Sequence, residues 1–480
     1  MKHDVNYTML TDFYELTMGN GYFQTGLKDR ICYFDVFFRS VPDGGGFAIA
    51  AGLDQVVHYI ENLHFDEEDI EYLRGKNCFC PEFLDYLKQF RFTGDIWAVP
   101  EGTPIFPREP ILTVRAPAIQ AQFIETYLLL VLNHQSLIAT KSNRIVRAAE
   151  GRPVAEFGSR RAQGADGALL GARASYIAGC SATACTMADQ RYGSPATGTM
   201  AHSWVQMFPD EYTAFKTYCE LYPNNATLLV DTYNVLKSGV PNAIRAFKEV
   251  LVPKGITKCG IRLDSGDLTY LSQKAREMLD AAGFKECKIV ASNALDEYII
   301  RDLLVQGAAI DSFGVGERLI TSKSEPVFGG VYKLAAIEGK DGVIIPKIKV
   351  SENPAKITTP HFKSVYRLFE EESGKAIADL LTLHDETVDE SRPLEIFDPD
   401  ATWKRKTLTG FTAKPLLEPI FRGGELVCQL PTIEESRTYC AQQIDLLWDE
   451  VKRFENPHNY YVDLSQKLWD IKQELLRHHP

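Results

Sequence analysis

A chain of 480 residues with 45% hydrophobic and 24% charged residues has an ordinary globular composition, and its length calls for two or three structural units rather than one small core. A net charge of −12 excludes a general nucleic-acid binder, which needs a basic field, but leaves room for a small anionic ligand in a local basic pocket. The longest apolar run, Phe123 to Leu132, contains Glu125 and falls far short of the roughly 20 residues of a membrane span, so no membrane association is expected.

Residues 1–145 mix short strands with helices. Ile31–Phe38 reads as a buried strand ending in the turn Pro42-Asp43-Gly44-Gly45-Gly46. Phe47–Glu61 reads as an amphipathic helix, Glu109–Ala116 as a strand, and Ala118–Ala139 as a long apolar helix buried on several sides. Residues 146–340 change rhythm. Candidate strands are Val154–Gly158, Thr197–Ala201, Thr227–Asp231, Cys259–Asp264, Lys288–Ser292 and Ile310–Gly314. Helices at Leu268–Ala282 and Leu295–Val305 carry apolar residues at i, i+3 and i+4. Alternating βα units imply a parallel sheet, doubly wound or closed into a barrel. Residues 341–480 return to short strand-like pieces, followed by helices at 433–455 and 463–477, and this segment is expected to pack with the N-terminal region. Met1-Lys2-His3-Asp4 leads into no apolar leader, and the ten scattered Cys lack zinc-ligand spacing, so reduced thiols in the cytoplasm are expected.

Polar residues collect after strand after strand of the βα region. Gly158-Ser159-Arg160-Arg161 follows the first; Asp231-Thr232-Tyr233, Arg262-Leu263-Asp264-Ser265-Gly266-Asp267, Ser292-Asn293 and Gly314-Val315-Gly316 follow others, and His202 ends the run Thr199-Met200-Ala201. Active sites of parallel α/β folds are built at the carboxyl ends of strands. Asp, Ser and Asn in such places also serve as helix N-caps, but caps do not need arginine, because cations are disfavoured at helix N-termini. Arginines clamp phosphate, glycine-backed N–H groups approach it, and carboxylates accept from ribose hydroxyls or hold Mg²⁺. The set suits a phosphorylated sugar.

The motifs Leu10-Thr11-Asp12-Phe13-Tyr14-Glu15-Leu16-Thr17-Met18, Glu156-Phe157-Gly158-Ser159-Arg160-Arg161, Gly198-Thr199-Met200-Ala201-His202-Ser203, Gly260 through Asp267, Gly329 through Leu334 and Ser351 through Lys356 resemble, in order, those of the nicotinate phosphoribosyltransferases. The resemblance covers nearly the whole chain. It implies an α/β fold of the type II phosphoribosyltransferase kind: an irregular βα barrel beside a flanking α/β domain built from both chain ends, in a homodimer with the active site at the interface. It implies condensation of nicotinate with phosphoribosyl pyrophosphate, coupled to ATP hydrolysis, on the way to NAD. By the same resemblance Tyr14 and Phe157 would flank the pyridine ring. Arg160, Arg262 and Thr199 would surround nicotinate and a nearby phosphate. His202 would accept a phosphoryl group from ATP, Asp231 and Asp264 would serve ribose hydroxyls or Mg²⁺, and Ser292, Asn293, Gly314 and Gly316 would hold phosphate and ribose.

One position departs from the pattern: Glu317 stands after Gly316 where many relatives have Thr, and an acid beside phosphate is unfavourable unless it meets a cation. Two rival readings are a nicotinamide-specific enzyme, in which an Asp would stand at the aligned position of Thr183, and a non-catalytic regulator, which would be expected to lose some of Asp264, His202 and Arg262.

Overall fold

The computed structural model describes residues 5–478; Met1-Lys2-His3-Asp4, read above as lacking an apolar leader, lie outside the described residues. The chain forms two compact units, one made of residues up to Leu137 and from Val327 onward, the other of Ile138–Pro326.

The second unit is built on β1 (Val154–Glu156), β2 (Ala182–Thr183), β3 (Thr227–Leu229), β4 (Gly260–Leu263), β5 (Lys288–Asn293) and β6 (Ser312–Val315). They form one six-stranded sheet in the order β2-β1-β6-β5-β4-β3, and every ladder between them is parallel. All carboxyl ends therefore lie along one edge. Leu228, Ile261, Leu263, Ile289, Ala291 and Val315 are completely buried, as the apolar strands of a sheet covered on both faces must be. The expected barrel is not closed by backbone pairing: β2 and β3 end the ladder and do not pair with each other.

Some helix starts in this unit are set by side-chain caps. Asp267 accepts from the Tyr270 N–H at 3.0 Å and opens Leu268–Ala281, which buries Leu268, Ala275 and Leu279. Asp296 accepts from Tyr298 and Ile299 at 3.1 and 2.9 Å, so the next helix begins at Glu297 and not at the expected Leu295. Thr197–Ala201, expected as a strand, is an extended loop. Side chains take over its carbonyls in place of a ladder: the Tyr218 hydroxyl donates to the Thr199 carbonyl at 3.1 Å.

The first unit joins both ends of the chain in one antiparallel sheet. Ile31–Phe37 and Leu112–Pro117 sit at its middle, with Val331–Glu338 and Ile344–Pro346 on one side and Asp95–Ala98, Glu418–Arg422 and Glu425–Leu426 on the other. A second sheet pairs Lys363–Glu370 with Ala376–Leu383, flanked by Phe411–Pro415 and Tyr461–Leu464. This unit contains both the N-terminal and the C-terminal segments of the described chain.

Several boundaries differ from expectation for local reasons. The helix expected from Phe47 starts at Leu53, because Ala48–Ile49 pair with Pro104–Ile105 and Gly52 turns the chain at φ 110°. A side chain at Gly52 would also meet the Val131 carbonyl at 2.9 Å. The apolar run from Ala118 forms two helices, Ala118–Phe123 and Glu125–Ala148. The helix expected over 433–455 ends at Asp445. Among the described residues no helix is long and apolar enough to cross a membrane.

Glu15, on the helix Phe13–Gln24, is 1% exposed and accepts from the Thr126 N–H at 3.1 Å and the Thr126 hydroxyl at 2.6 Å. Burial outweighs these donors and pushes its carboxyl up to about 7. A raised acid favours the neutral form in the fold, so stability falls as pH rises from the ordinary carboxylate range through about 7, by a total on the order of 3 kcal/mol. Glu15→Gln is expected to flatten this dependence. Denaturant titrations at pH 5 and pH 8 check it, and an equal pH dependence in both proteins would contradict it.

Candidate active site

Arg262, on β4, gathers the strand ends. Its Nε donates to the Ser292 Oγ of β5 at 2.8 Å, Nη1 to the Thr199 Oγ1 at 3.1 Å, and Nη2 to Asp264 Oδ1 at 2.9 Å. The guanidinium carbon lies 5.8 Å from the centre of the Phe157 ring, just past β1. The Ser292 hydroxyl in turn donates to Asp264 Oδ1. Only 14% of the Arg262 side chain is exposed, so these contacts replace its water and aim it rigidly.

Asp231, after β3, accepts through Oδ2 from the Asp264 N–H at 2.9 Å and from the Ser265 hydroxyl at 2.6 Å. Its Oδ1 is buried and meets no hydrogen-bond partner among the described residues. His202 opens the short helix His202–Gln206; its Nδ1 lies 3.1 Å from Thr232 Oγ1 and its Nε2 3.9 Å from Asp264 Oδ2. Asn293, at the end of β5, holds φ 126°, a conformation costly for a non-glycine residue and concentrated at functional sites.

Helix capping accounts for Asp267 and Asp296. Asp231, Asp264 and Ser292 cap nothing and bond to one another or to Arg262. The structure thus separates the two roles that sequence leaves mixed.

The glycines act differently from expectation. A Cβ at Gly314 would meet the Phe157 ring at 2.5 Å, so glycine there makes space for the ring. At Gly316 it would approach the Phe157 carbonyl at 3.1 Å. Gly314→Ala is expected to turn Phe157 and to cost about 1–3 kcal/mol of stability. Denaturant titration beside the native protein would show it; unchanged stability would mean that Phe157 yields to the added Cβ without cost.

Glu317 meets cations: Lys323 Nζ lies at 2.7 Å and Arg161 Nε at 4.0 Å. Lys323, with Arg161 and Arg318 nearby, holds its carboxyl below the usual range. The acid is occupied on the side of Arg161, while the adjacent Arg160 is exposed and bonds to no carboxylate among the described residues.

Thr183 is 1% exposed, and its hydroxyl donates to Glu156 Oε2 at 2.6 Å. Burial pushes the Glu156 carboxyl up, against the opposing donors Thr183 and Gly158. Thr183 is thus committed to an internal carboxyl and offers no free hydroxyl to a ligand. Glu156, directly before Phe157, is a partner that strand-end reading missed; Thr232 and Ser265 stood within the strand ends it quoted but received no role there. Tyr14 belongs to the other unit. It is 43% exposed, and partial burial together with Glu125 pushes its hydroxyl up.

A divalent cation of the Mg²⁺ kind is held by one or two carboxylates plus substrate phosphates. Among the described residues no group of three or more His, Cys, Asp or Glu is arranged to hold a metal ion by itself. The unpartnered Asp231 Oδ1 fits such a substrate-assisted site, with Asp264 next to it.

A parallel α/β sheet whose carboxyl edge presents arginines, carboxylates, hydroxyls and a histidine defines an enzyme acting on a small, anionic, hydroxyl-bearing substrate. Family models match on both sides of this edge: the nicotinate phosphoribosyltransferase (NAPRTase) N-terminal domain over residues 9–133 and the nicotinate phosphoribosyltransferase C-terminal domain over residues 362–472. The edge itself is spanned by a nicotinate phosphoribosyltransferase of Bacillus subtilis, 44% identical over 98% of this chain and 95% of that protein. The crystal structure of human nicotinic acid phosphoribosyltransferase superposes with a TM-score of 0.84 at 30% identity, covering 97% of this chain and all of that one. The nicotinate-nucleotide pyrophosphorylase of Pyrococcus furiosus shares the fold, with a TM-score of 0.70 at 24% identity over 93% of this chain and 97% of that one. The chain belongs to the nicotinate phosphoribosyltransferase family.

Proposed function

We propose that this chain condenses nicotinate with phosphoribosyl pyrophosphate to give nicotinate mononucleotide and pyrophosphate, with ATP hydrolysis coupled to the reaction, as a step of NAD formation in the cytoplasm. The observation that carries the site assignment is the convergence of Thr199, Ser292, Asp264 and Phe157 on Arg262.

The pyridine nitrogen attacks the anomeric carbon while the bond to pyrophosphate breaks, and positive charge develops on the ribose. Little covalent work falls to the protein; its contribution is positioning and electrostatic stabilisation. Phe157, backed by Gly314, forms one wall for the ring. Tyr14 of a second copy forms the other, in a homodimer whose sites are completed across the interface. Arg262 is already committed to internal partners and frames the pocket together with Thr199; the unpaired Arg160 takes the nicotinate carboxylate or a phosphate oxygen. Asp264 and Asp231 receive ribose hydroxyls, and Asp231 Oδ1 is the candidate Mg²⁺ ligand. The cation would neutralise charge on the departing pyrophosphate. Ser292, the strained Asn293 and the Gly314–Gly316 turn line the phosphate side. His202 accepts the phosphoryl group of ATP, adding a dianion that orders the site.

The test is pyrophosphate release by the purified protein with phosphoribosyl pyrophosphate, Mg²⁺ and ATP, comparing nicotinate, nicotinamide and quinolinate. Release with nicotinate alone is expected. Release with nicotinamide would establish the amide-specific reading, and none with any base would favour a non-catalytic regulator.

A further inference from the structure

We propose that Thr126 is a positioning residue for Tyr14, fixing the backbone on both sides of it; this rests on the reading of Tyr14 as a wall of the nicotinate site. Tyr14 stands in the first turn of the helix Phe13–Gln24 and Thr126 in the first turn of the helix Glu125–Ala148, so two helix starts meet here.

The first N–H groups of a helix have no partner within it and must be met from outside. The Thr126 N–H donates to Glu15 Oε1 at 3.1 Å, and the Thr126 hydroxyl donates to the same oxygen at 2.6 Å. That hydroxyl also accepts from the Asp12 N–H at 3.2 Å. One hydroxyl is thus used in both directions, and the residues it ties down, Asp12 and Glu15, bracket Tyr14. The other Glu15 oxygen accepts from the Thr11 hydroxyl, so the carboxyl is held from both sides inside the fold. The Tyr14 hydroxyl turns toward the carboxylate of Glu125, the residue before Thr126. The rest of the side chain is 43% exposed, which leaves ring surface for a planar ligand. Stacking depends on the plane and offset of the ring, and a tyrosine has few rotatable bonds, so both follow closely from the backbone beneath it. Valine keeps the shape of threonine but neither donates nor accepts. It would free Asp12 and leave Glu15 with one donor fewer, whereas serine keeps both bonds. Tyr14 is assigned no contact with the reacting atoms, so its displacement would weaken nicotinate binding and leave the chemical step alone.

The experiment is steady-state kinetics of the full-length protein with nicotinate and phosphoribosyl pyrophosphate varied in turn. It compares the native chain with Thr126→Val, Thr126→Ala, Thr126→Ser, Tyr14→Ala and the double variant Tyr14→Ala with Thr126→Val, each checked for folding by circular dichroism. Thr126→Val is expected to raise KM for nicotinate about five- to tenfold, with kcat and KM for phosphoribosyl pyrophosphate within about twofold of native. Thr126→Ala should match valine, and stands in for it if valine disturbs the fold. Thr126→Ser should bring KM for nicotinate back to within about twofold of native, and Thr126→Val should add nothing once Tyr14 is alanine. A native KM in a folded variant without the hydroxyl would overturn the proposal. So would a serine variant no better than valine, or a valine effect undiminished in the absence of Tyr14. A native protein without nicotinate turnover, or a native KM in Tyr14→Ala, would instead remove the reading of Tyr14 as a ring wall and the Thr126 proposal with it.

Discussion

Arg262→Met is expected to lower kcat/KM for nicotinate by about 10³-fold or more while leaving the fold intact. The substitution keeps much of the side chain's length and its contact with Phe157 but removes the donors that hold Ser292, Thr199 and Asp264. Charge-assisted hydrogen bonds contribute about 1.5–3 kcal/mol each, and Asp264 would lose its counter-charge in a partly enclosed site. Lysine should rescue poorly, because a single ammonium cannot reach three partners in different directions. The measurement is steady-state kinetics of Arg262→Met and Arg262→Lys beside a folding check by circular dichroism. A methionine variant within tenfold of native would remove Arg262 from the centre of the site.

In the first unit, Arg367→Met is expected to destabilise the protein by about 3–5 kcal/mol, the cost of leaving a buried charge without its partner. Arg367 is 1% exposed and Asp379 is completely buried. They pair through two bonds of 2.8 and 2.6 Å, Tyr460 donates to Asp379 at 3.0 Å, and Arg367 also donates to the Pro104 carbonyl at 2.8 Å. Glu109 lies in the same interior. Burial and the neighbouring Asp379 push its carboxyl well up, which favours its neutral form beside the Arg367–Asp379 pair. The double variant Arg367→Met with Asp379→Leu should therefore be more stable than Arg367→Met alone. Denaturant titration of the set decides; a double variant no more stable than the single would show that lost packing, not an orphaned charge, sets the cost.

The second unit was the more legible of the two in sequence. Most of its strands contain short apolar runs with polar or glycine residues at or soon after their ends, such as Asp231, Asp264, Asn293 and Gly316, whereas β2 (Ala182–Thr183) offers no such run. Such runs stand out without knowledge of their neighbours. Thr197–Ala201 looked similar and is a loop: the Thr197 N–H reaches the Thr183 carbonyl at 2.8 Å, but no ladder continues from there and the Tyr218 hydroxyl takes the Thr199 carbonyl. In the first unit, Lys363, Arg367 and Asp379 stand within strand segments where charge normally marks the solvent face. They are interior because Asp35, remote in sequence, pairs with Lys363 at 2.7 Å, and because Asp379 pairs with Arg367 directly across two neighbouring antiparallel strands.

The sequence by itself determined the parallel architecture and the strand ends that carry Arg262, Asp264, Asp231 and Ser292, since these follow from local patterning and strand direction; His202 follows a loop, and the tertiary structure brings it to Thr232 and Asp264. Only the tertiary structure decided what each does there. Gly314 makes room for Phe157 and Thr183 serves Glu156. Asp267 and Asp296 cap helices, Glu317 is neutralised by Lys323 and Arg161, and Thr232 stands at a nitrogen of His202. The reason is physical: a strand's direction is a property of consecutive residues, whereas a hydrogen bond or a counter-charge depends on which side chain the folded chain brings within about 3 Å.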